Sequence, residues 1–399
     1  MDADRLEAVC INGWRCVCGK GIFHKGDIAI FFEIDSKLPE VEPFIQNEFL
    51  KNKKFKIKSQ KIRGVVSQGL LMHPDEFGWK IEHGFDCDLG KEIYYVNDGE
   101  EDHFLDEESR FLTEKLGVTY AVEEDNVRKA PSADKYKKMA QRHPKLAKTW
   151  WWKLLYKNKV GKKILFALFG KKRDRGNGWP SYIKRTDEER VQNCTYLLND
   201  ATETWYPTEK IDGSSTTFSR KGFGKKKQFY VCSRNVPFTK PDQKCFYETN
   251  IYIEMAEKYD MENKLDTMIE DHKKERPDVD FVTIQAETYG AGVQKRDYGL
   301  KDHDMAIFNI IFGYKDGSTI RLNPVDGKKF ADKYNLPYVP VLNEEGIHLP
   351  NSCDEVLKMA EEEKSKIDGG MREGIVFRSK DGTKSFKAVS NEFLLKYHG

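Results

Sequence analysis

The chain has 399 residues, a third of them charged, and its 67 Lys and Arg against 65 Asp and Glu leave a formal net charge of +2. That length accommodates two or three domains with their own cores, and the near-cancellation of charge means that only the distribution of lysines, not overall polarity, can point to an anionic partner. MDADRLEAVC carries no basic stretch followed by an apolar one, and no run of about 18 apolar residues occurs, so the expectation is a soluble, intracellular, non-secreted chain with membrane association disfavoured.

Residues 1–97 read as a small β module. WRCVC and DIAIFFEI have strand character and are separated by the Gly-rich GKGIFHKGD. Several short strands in so little sequence point to a small barrel, and the OB fold is the common barrel that presents a basic sheet face to nucleic acid. The run KNKKFKIKSQKIRG, with Lys56, Lys58, Lys61 and Arg63, reads either as that face or as the charged edge that sheets use against edge pairing.

DGEEDHFLDEES breaks the pattern, and residues 98–175 read as an acidic linker followed by a basic, helix-permissive insertion in which Trp150, Trp151 and Trp152 stand among lysines. Such a segment can dock on a neighbouring domain, lie on a membrane surface or bind RNA. Residues 176–399 read as one mixed α/β domain with strands at 226–233, 281–288, 304–314, 338–342 and 373–378. Helices are expected near 241–270, 328–335 and 352–366. The eight cysteines include no C-x-x-C pair, which favours reduced structural thiols.

TEKIDGSSTTF, residues 208–218, is the most informative stretch. Asp-Gly followed by Thr-Thr-Phe suits a hairpin with positive φ at its turn; the same residues suit a nucleophilic Lys210. A lysine amine with an ordinary pKa of about 10.4 is protonated at neutral pH, so that second reading requires cationic neighbours or a metal to depress it. It also requires a cation for phosphate, carboxylates for a divalent metal and an aromatic ring for a base. Candidates stand near the ends of predicted strands: Arg234 in VCSRN, Glu287 in IQAETYG, Phe308 in MAIFNI, Glu373 in REGIVFRSK and Lys387 in KSFKAVS.

K-x-D-G with a following Ser, then S-R-N, a strand-borne Glu, an aromatic strand, E-G-I-V-F and a lysine strand resemble the ordered motifs of the covalent nucleotidyltransferases, which include ATP-dependent ligases and mRNA capping enzymes. Twelve residues follow Lys387, too few for the C-terminal OB domain of DNA ligases and capping enzymes. The β module precedes the catalytic domain instead. With INGWRCVCGKGIFHKGDIAIFFEIDS, SQKIRGVVSQGL, LTEKLGVT and WPSYIKRTDEERVQN, the chain resembles the Deinococcus/Naegleria-type RNA ligases over most of 8–122 and 179–399. The implied fold is α+β: an N-terminal OB-like β-barrel, then a mixed α/β, ATP-grasp-like nucleotidyltransferase domain built on antiparallel sheets.

The resemblance implies an ATP-dependent RNA ligase, a phosphodiester-forming enzyme of RNA repair, acting with Mg²⁺ or Mn²⁺ on RNA with 5′-phosphate and 3′-hydroxyl ends in a nicked or broken duplex. A monomer is favoured. Lys210 would carry AMP, and Glu209, Ile211, Asp212, Gly213, Arg234, Phe308 and Lys387 would line the ATP/AMP site. Glu287 and Glu373 would act in catalysis and hold the metal, and Lys387 would offset charge on the α-phosphate. Lys56, Lys58, Lys61, Arg63, Lys184, Arg185 and Arg190 are the RNA-binding candidates, with Asp187 in the same upstream stretch. One departure stands out: RNA ligases commonly place a second lysine where this chain has Val389, leaving Lys384 or Lys396 as substitutes. The competing readings are a capping-type guanylyltransferase or DNA ligase, and a non-catalytic RNA-binding protein with the same fold.

Overall fold

A computed structural model describes residues 5–86, 91–97, 102–104, 109–120 and 179–398 apart from 223–226 and 239–242, with a few isolated positions between 121 and 178. The N-terminal module opens with β1 (Leu6–Ile11), β2 (Trp14–Gly19), β3 (Ile30–Phe32), β4 (Ser36–Lys37), helix α1 (Glu48–Asn52), β5 (Gln60–Ile62), β6 (Val65–Ser67) and β7 (Leu70–Met72). They pair antiparallel as β1–β2, β3–β7 and β5–β6 around a core of Trp14, Phe32, Phe44, Leu50, Ile57 and Trp79. Left-handed residues at Asn12, Asp35, Lys54, Phe55 and Arg63 interrupt the strands. Among the described residues, the ladders stay short and do not join into one continuous barrel.

The boundary expected at 97 falls inside this module. β8 (Lys80–Asp86), β9 (Lys91–Asn97) and β10 (Asp102–Phe104) form one three-stranded sheet. Helix α2 (Ser109–Lys115) brings Leu112 onto the module's core together with Leu116 and Val118, and β11 (Thr119–Tyr120) pairs with β4. Apolar side chains thus bind the stretch read as a linker to the N-terminal strands. The Trp-rich stretch lies almost wholly outside the described residues; Trp152 and Leu165, which are described, are buried.

The C-terminal domain consists of two antiparallel sheets. The smaller has the order β12 (Trp205–Lys210), β19 (Gly374–Ser379), β20 (Ser385–Val389). In the larger, β15 (Pro237–Phe238), β14 (Gln228–Cys232), β13 (Ser214–Lys221), β16 (Val279–Gly290), β17 (His303–Tyr314) and β18 (Thr319–Arg321) lie side by side. Alternation decides what faces where: Val282, Ile284 and Ala286 of β16 enter the main core, so Gln285, Glu287 and Tyr289 face the other way. Helices α3 (Ile251–Lys258) and α4 (Met261–Glu275) cover the core face. In α4 the spacing of Met261, Leu265, Met268 and Ile269 makes one apolar stripe, and burying each such side chain contributes about 1.5–3 kcal/mol. Helix α5 (Pro324–Lys333) closes the same core, and α6 (Cys353–Glu362) lays Val356, Leu357 and Ala360 on the smaller sheet.

Two elements differ from the sequence reading. The helix expected over 241–270 is two helices, because Asp260 between them takes φ +49°, and residues 243–250 form a loop. The strand expected at 338–342 makes only isolated bridges, Tyr338 to Ile307 and Val341 to Thr208.

The two domains meet beside the smaller sheet. Val66 of β6 packs with Val389 and Leu394, Gln192 Nε2 donates to the Gly13 carbonyl at 3.5 Å, and the Arg190 guanidinium lies 5.7 Å from the centre of the Trp14 ring.

Candidate active site

TEKIDGSSTTF is not a hairpin. β12 ends at Lys210 and pairs with β19, whereas β13 begins at Ser214 and pairs with β14 and β16. Ile211–Gly213 therefore carries the chain from one sheet to the other. Gly213 is required for crowding rather than for positive φ, which it does not adopt. A Cβ there would stand 2.4 Å from the Thr288 carbonyl oxygen and 2.9 Å from Glu287 Cγ.

Between the sheets lies a cavity of about 460 Å³. Lys210, Glu287, Arg234, Phe308, Glu373 and Lys387 all line it, as do Glu209, Ile211, Asp212 and Gly213. Register brings them together. Lys210 stands opposite Gly374, so Glu373 lies beside it, and Lys210 Nζ donates to both Glu373 carboxylate oxygens at 2.7 Å. Lys387 stands opposite Val376 on the neighbouring strand, and Glu287 opposite Ser215 on the larger sheet. Phe308 reaches the cavity through a β-bulge: Gln285 pairs with Asn309 and Ala286 with Ile307, leaving Phe308 as the extra residue. Bulges beside active sites re-aim side chains in this way, and here the core positions Ile307 and Ile310 keep their facing while Phe308 turns to the cavity. The Glu209 carboxylate, by contrast, accepts hydrogen bonds from Ser365 and the Lys366 amide on a neighbouring segment.

Electrostatics corrects one expectation. Burial pulls the Lys210 amine toward the neutral form, but Glu373 and Glu287 outweigh it, so the amine is held above its ordinary value. The depressed lysine is Lys387, lowered to about 8 by burial and then by Lys210, Arg190 and Arg234. Glu287 is pushed up to about 8 by burial, with Glu373 and Asp212 adding repulsion and Lys210 opposing it. Burial thus disfavours the ionised form of a carboxyl that faces a second one across the cavity. A divalent ion would favour both carboxylates, and Glu287 and Glu373 are the residues that could hold one. No group of three or more His, Cys, Asp or Glu able to bind a metal is assembled among the described residues. The fit is therefore to a hydrated cation held by one or two carboxylates and substrate phosphates, as Mg²⁺ commonly is.

The upstream stretch divides. Thr186, Asp187, Glu188 and Arg190 line the cavity; Lys184 and Arg185 do not. Asp187 pairs with Arg234, and the Arg190 backbone bridges to Lys387. Lys56 and Lys58 are exposed, alternating with buried Phe55 and Ile57, and Lys61 and Arg63 are exposed on the β5–β6 hairpin. None of these four lines the cavity.

Sequence reasoning missed Arg378 and His398, both of which line the cavity. Arg378 is 1% exposed, donates to Glu188 at 3.0 Å and lies 5.8 Å from the Phe308 ring centre. Its signal is a charge inside the apolar run GIVFRS. His398 faces Asp212 Oδ2 at 3.5 Å; the Asp212 carboxylate, followed by Glu373, holds the imidazole above its ordinary value against burial. Nothing in the local sequence marks it. Val389 sits in the apolar contact with Val66. Lys384 pairs with Glu203 and Lys396 lies over the Tyr397 ring; neither lines the cavity beside Lys210 and Lys387.

Residues 203–398 match the family model described as RNA ligase, and residues 1–74 match a model of an OB-fold domain. No curated protein matches the sequence. Among solved structures, the chain is similar to substituted forms of the Naegleria gruberi RNA ligase. One without ligand is 23% identical with a TM-score of 0.62, the match covering 100% of this chain and 94% of that one. A form with AMP and Mn is 23% identical, TM-score 0.62, covering 100% and 95%. One with ATP and Mn is 24% identical, TM-score 0.62, covering 100% and 95%. At these identities the likeness is one of fold.

Gly213→Ala must push the K-x-D-G turn away from Thr288, and the expected result is at least about a tenfold loss of activity at Lys210, since displacements of about 1 Å cost up to a hundredfold. Retained thermal stability with lost activity is the outcome to look for in parallel melting and activity assays. Glu287→Gln tests the cost of burying that carboxyl. A carboxyl whose folded pKa lies above its unfolded one costs stability increasingly as pH rises from about 4.5 toward 8. In chelator, the variant is expected to melt higher than the parent, by more at pH 8 than at pH 5.

Proposed function

We propose, from the match of residues 203–398 to the RNA ligase family model, that the protein is an ATP-dependent ligase joining RNA 3′-hydroxyl and 5′-phosphate ends through a lysyl-AMP intermediate. The observation that carries this reading is the convergence of Lys210, Glu287, Glu373, Arg234, Phe308 and Lys387 on one cavity. Solved relatives of the fold hold ATP or AMP with Mn, which supports the same nucleotide and metal class here.

In the first step the Lys210 nitrogen forms a bond to the α-phosphorus of ATP as the bond to the pyrophosphate oxygen breaks. Lys210 must first surrender a proton, and Glu373, touching Nζ through both oxygens, is placed to hold it. Lys387 lies beside the same end of the smaller sheet, where its charge offsets that gathering on the α-phosphate. Phe308 offers a ring face for the base and Arg234 a planar fork for sugar or phosphate. A divalent cation held by Glu373 and Glu287 with water would supply positive charge against the phosphates. In the second step a 5′-phosphate oxygen of RNA displaces Lys210 from phosphorus and takes the AMP. In the third, a 3′-hydroxyl attacks that phosphate, loses its proton and expels AMP, leaving a phosphodiester.

The OB module, with Lys56, Lys58, Lys61 and Arg63 turned outward, supports a reading in which its face tracks the RNA backbone. No helix among the described residues is long and apolar enough to cross a membrane.

The nucleophile is tested by incubating the protein with α-labelled ATP or GTP and Mg²⁺ or Mn²⁺, without RNA, and looking for label on the denatured chain. Acid-labile label from ATP, abolished in Lys210→Ala, is expected. Label from GTP instead would make the protein a capping-type enzyme, and label from neither, in folded protein free of pre-bound AMP, would leave only RNA binding. The RNA face is tested by replacing Lys56, Lys58 and Lys61 with Gln. Each lost phosphate contact is expected to reduce the slope of log affinity against log salt by about one unit, and an unchanged slope returns these lysines to solvent.

A further inference from the structure

The loop that follows β16 touches the catalytic centre from two sides at once. Its backbone is unusual: Gln294 and Tyr298, neither of them glycine, take φ values of +57° and +55°. Left-handed backbone at such residues persists only where surrounding contacts enforce it, and it clusters at functional sites.

Both residues bond to the turn that carries the nucleophile. The Asp212 amide donates to Tyr298 Oη at 2.7 Å, in a buried setting, and Gln294 Nε2 donates to the Gly213 carbonyl at 3.1 Å. Asp212 and Gly213 are two of the three residues that carry the chain from the smaller sheet to the larger. Between Gln294 and Tyr298, buried Arg296 faces in the other direction: it donates to the Met371 carbonyl and pairs with Asp368. Met371 lies two residues before Glu373. The Arg296 guanidinium also lies 4.1 Å from the Tyr298 ring centre, which makes the two grips one unit. Gly370 leaves room for it, since a Cβ there would come within 2.8 Å of Arg296 Nη2.

We propose that loop 291–300 is a positioning clamp, in which Tyr298 and Gln294 hold the Lys210 turn, Arg296 holds the segment leading to Glu373, and the loop thereby sets the nucleophile against its carboxylate. The proposal rests on Lys210 being the adenylylated residue. It assigns Tyr298 and Arg296, which do not line the cavity, no contact with substrate; Gln294 lines the cavity as well as holding the turn. Their effect falls on the step in which Lys210 attacks, because that step depends on where Nζ points. Sealing of an RNA end that already carries AMP has no Lys210 attack in it and depends less on the clamp.

The test compares wild type with Tyr298→Phe, which deletes the acceptor of the Asp212 amide and that oxygen's hydrogen bond with Arg296, both contacts of the clamp, and keeps the ring under Arg296. Two rates are measured: single-turnover self-adenylylation across ATP concentrations, and sealing of a nicked RNA duplex supplied with a pre-adenylylated 5′ end. The expected result is adenylylation slowed about tenfold at saturating ATP, equivalent to ~1.4 kcal/mol, with KM for ATP and the sealing rate changed less than about threefold. Equal losses in both rates, or no loss in adenylylation, would overturn the clamp. Gln294→Ala, at an exposed position on the cavity rim, decides the matter if Tyr298→Phe does not fold: it should slow adenylylation about threefold at saturating ATP and slow sealing of the pre-adenylylated end by less, and an adenylylation rate at saturating ATP equal to wild type, or an equal loss in both rates, would refute the proposal. Absence of a wild-type adduct would instead refute the assignment of Lys210, and the clamp with it.

Discussion

A half-buried ammonium gripped by a carboxylate is the contact around which the C-terminal domain is arranged. Lys210 Nζ and Glu373 meet at 2.7 Å where two sheets converge, with a second, half-buried carboxylate, Glu287, close enough to raise the lysine's proton affinity. Charges withdrawn from water demand partners. The partners come from different strands, so the sheets must hold a fixed relation for the cluster to exist. The two carboxylates consequently hold the Lys210 amine toward its protonated form.

The scaffold meets this demand by tying the sheets together near the cavity with polar contacts. Glu188 is shared between Arg378 of the smaller sheet and Arg321 of the larger. Thr186 and Ser215 hydroxyls meet at 2.8 Å, and Gln285 donates to the Lys184 carbonyl. The upstream segment 184–190 is thus a strap across both sheets, which explains why its polar residues divide between lining the cavity and holding its walls. The cores behind each sheet are separate apolar clusters, and the strap and the turn at Ile211–Gly213 join them.

The order of the chemical residues along the chain is readable because each sits near the end of a strand whose apolar alternation is strong: Glu287 in β16, Glu373 before β19 and Lys387 in β20. Facing is less readable. Phe308 sits in an apolar run that gives no hint of the bulge, since a bulge is set by pairing with Gln285–Ala286 in another strand. Asp-Gly after Lys210 carries a strong local hairpin signal, and tertiary context overrides it because the flanking strands find better partners in different sheets. Asp260 ends a helix through its backbone angle, which composition does not announce. The resting state of Lys210 escapes a local reading for a similar reason: its carboxylate partner lies 163 residues away in sequence.

Val389 shows how the N-terminal module bears on the cavity. Its side chain both lines the cavity and packs against Val66 and Leu394. A lysine at this position would have to leave an apolar contact between domains or carry its charge into it, and an unpaired buried charge costs several kcal/mol. An apolar residue therefore serves the docking of the OB module, and the cationic duty at this end of the cavity is left to side chains with other anchors. Arg190 is one: its backbone bridges to Lys387, its guanidinium rests by Trp14 of the N-terminal module, and it lines the cavity. The same arginine thus touches both domains. Any shift of the N-terminal module would move a cation in the cavity, so domain docking and the electrostatics around Lys210 are coupled by direct contact.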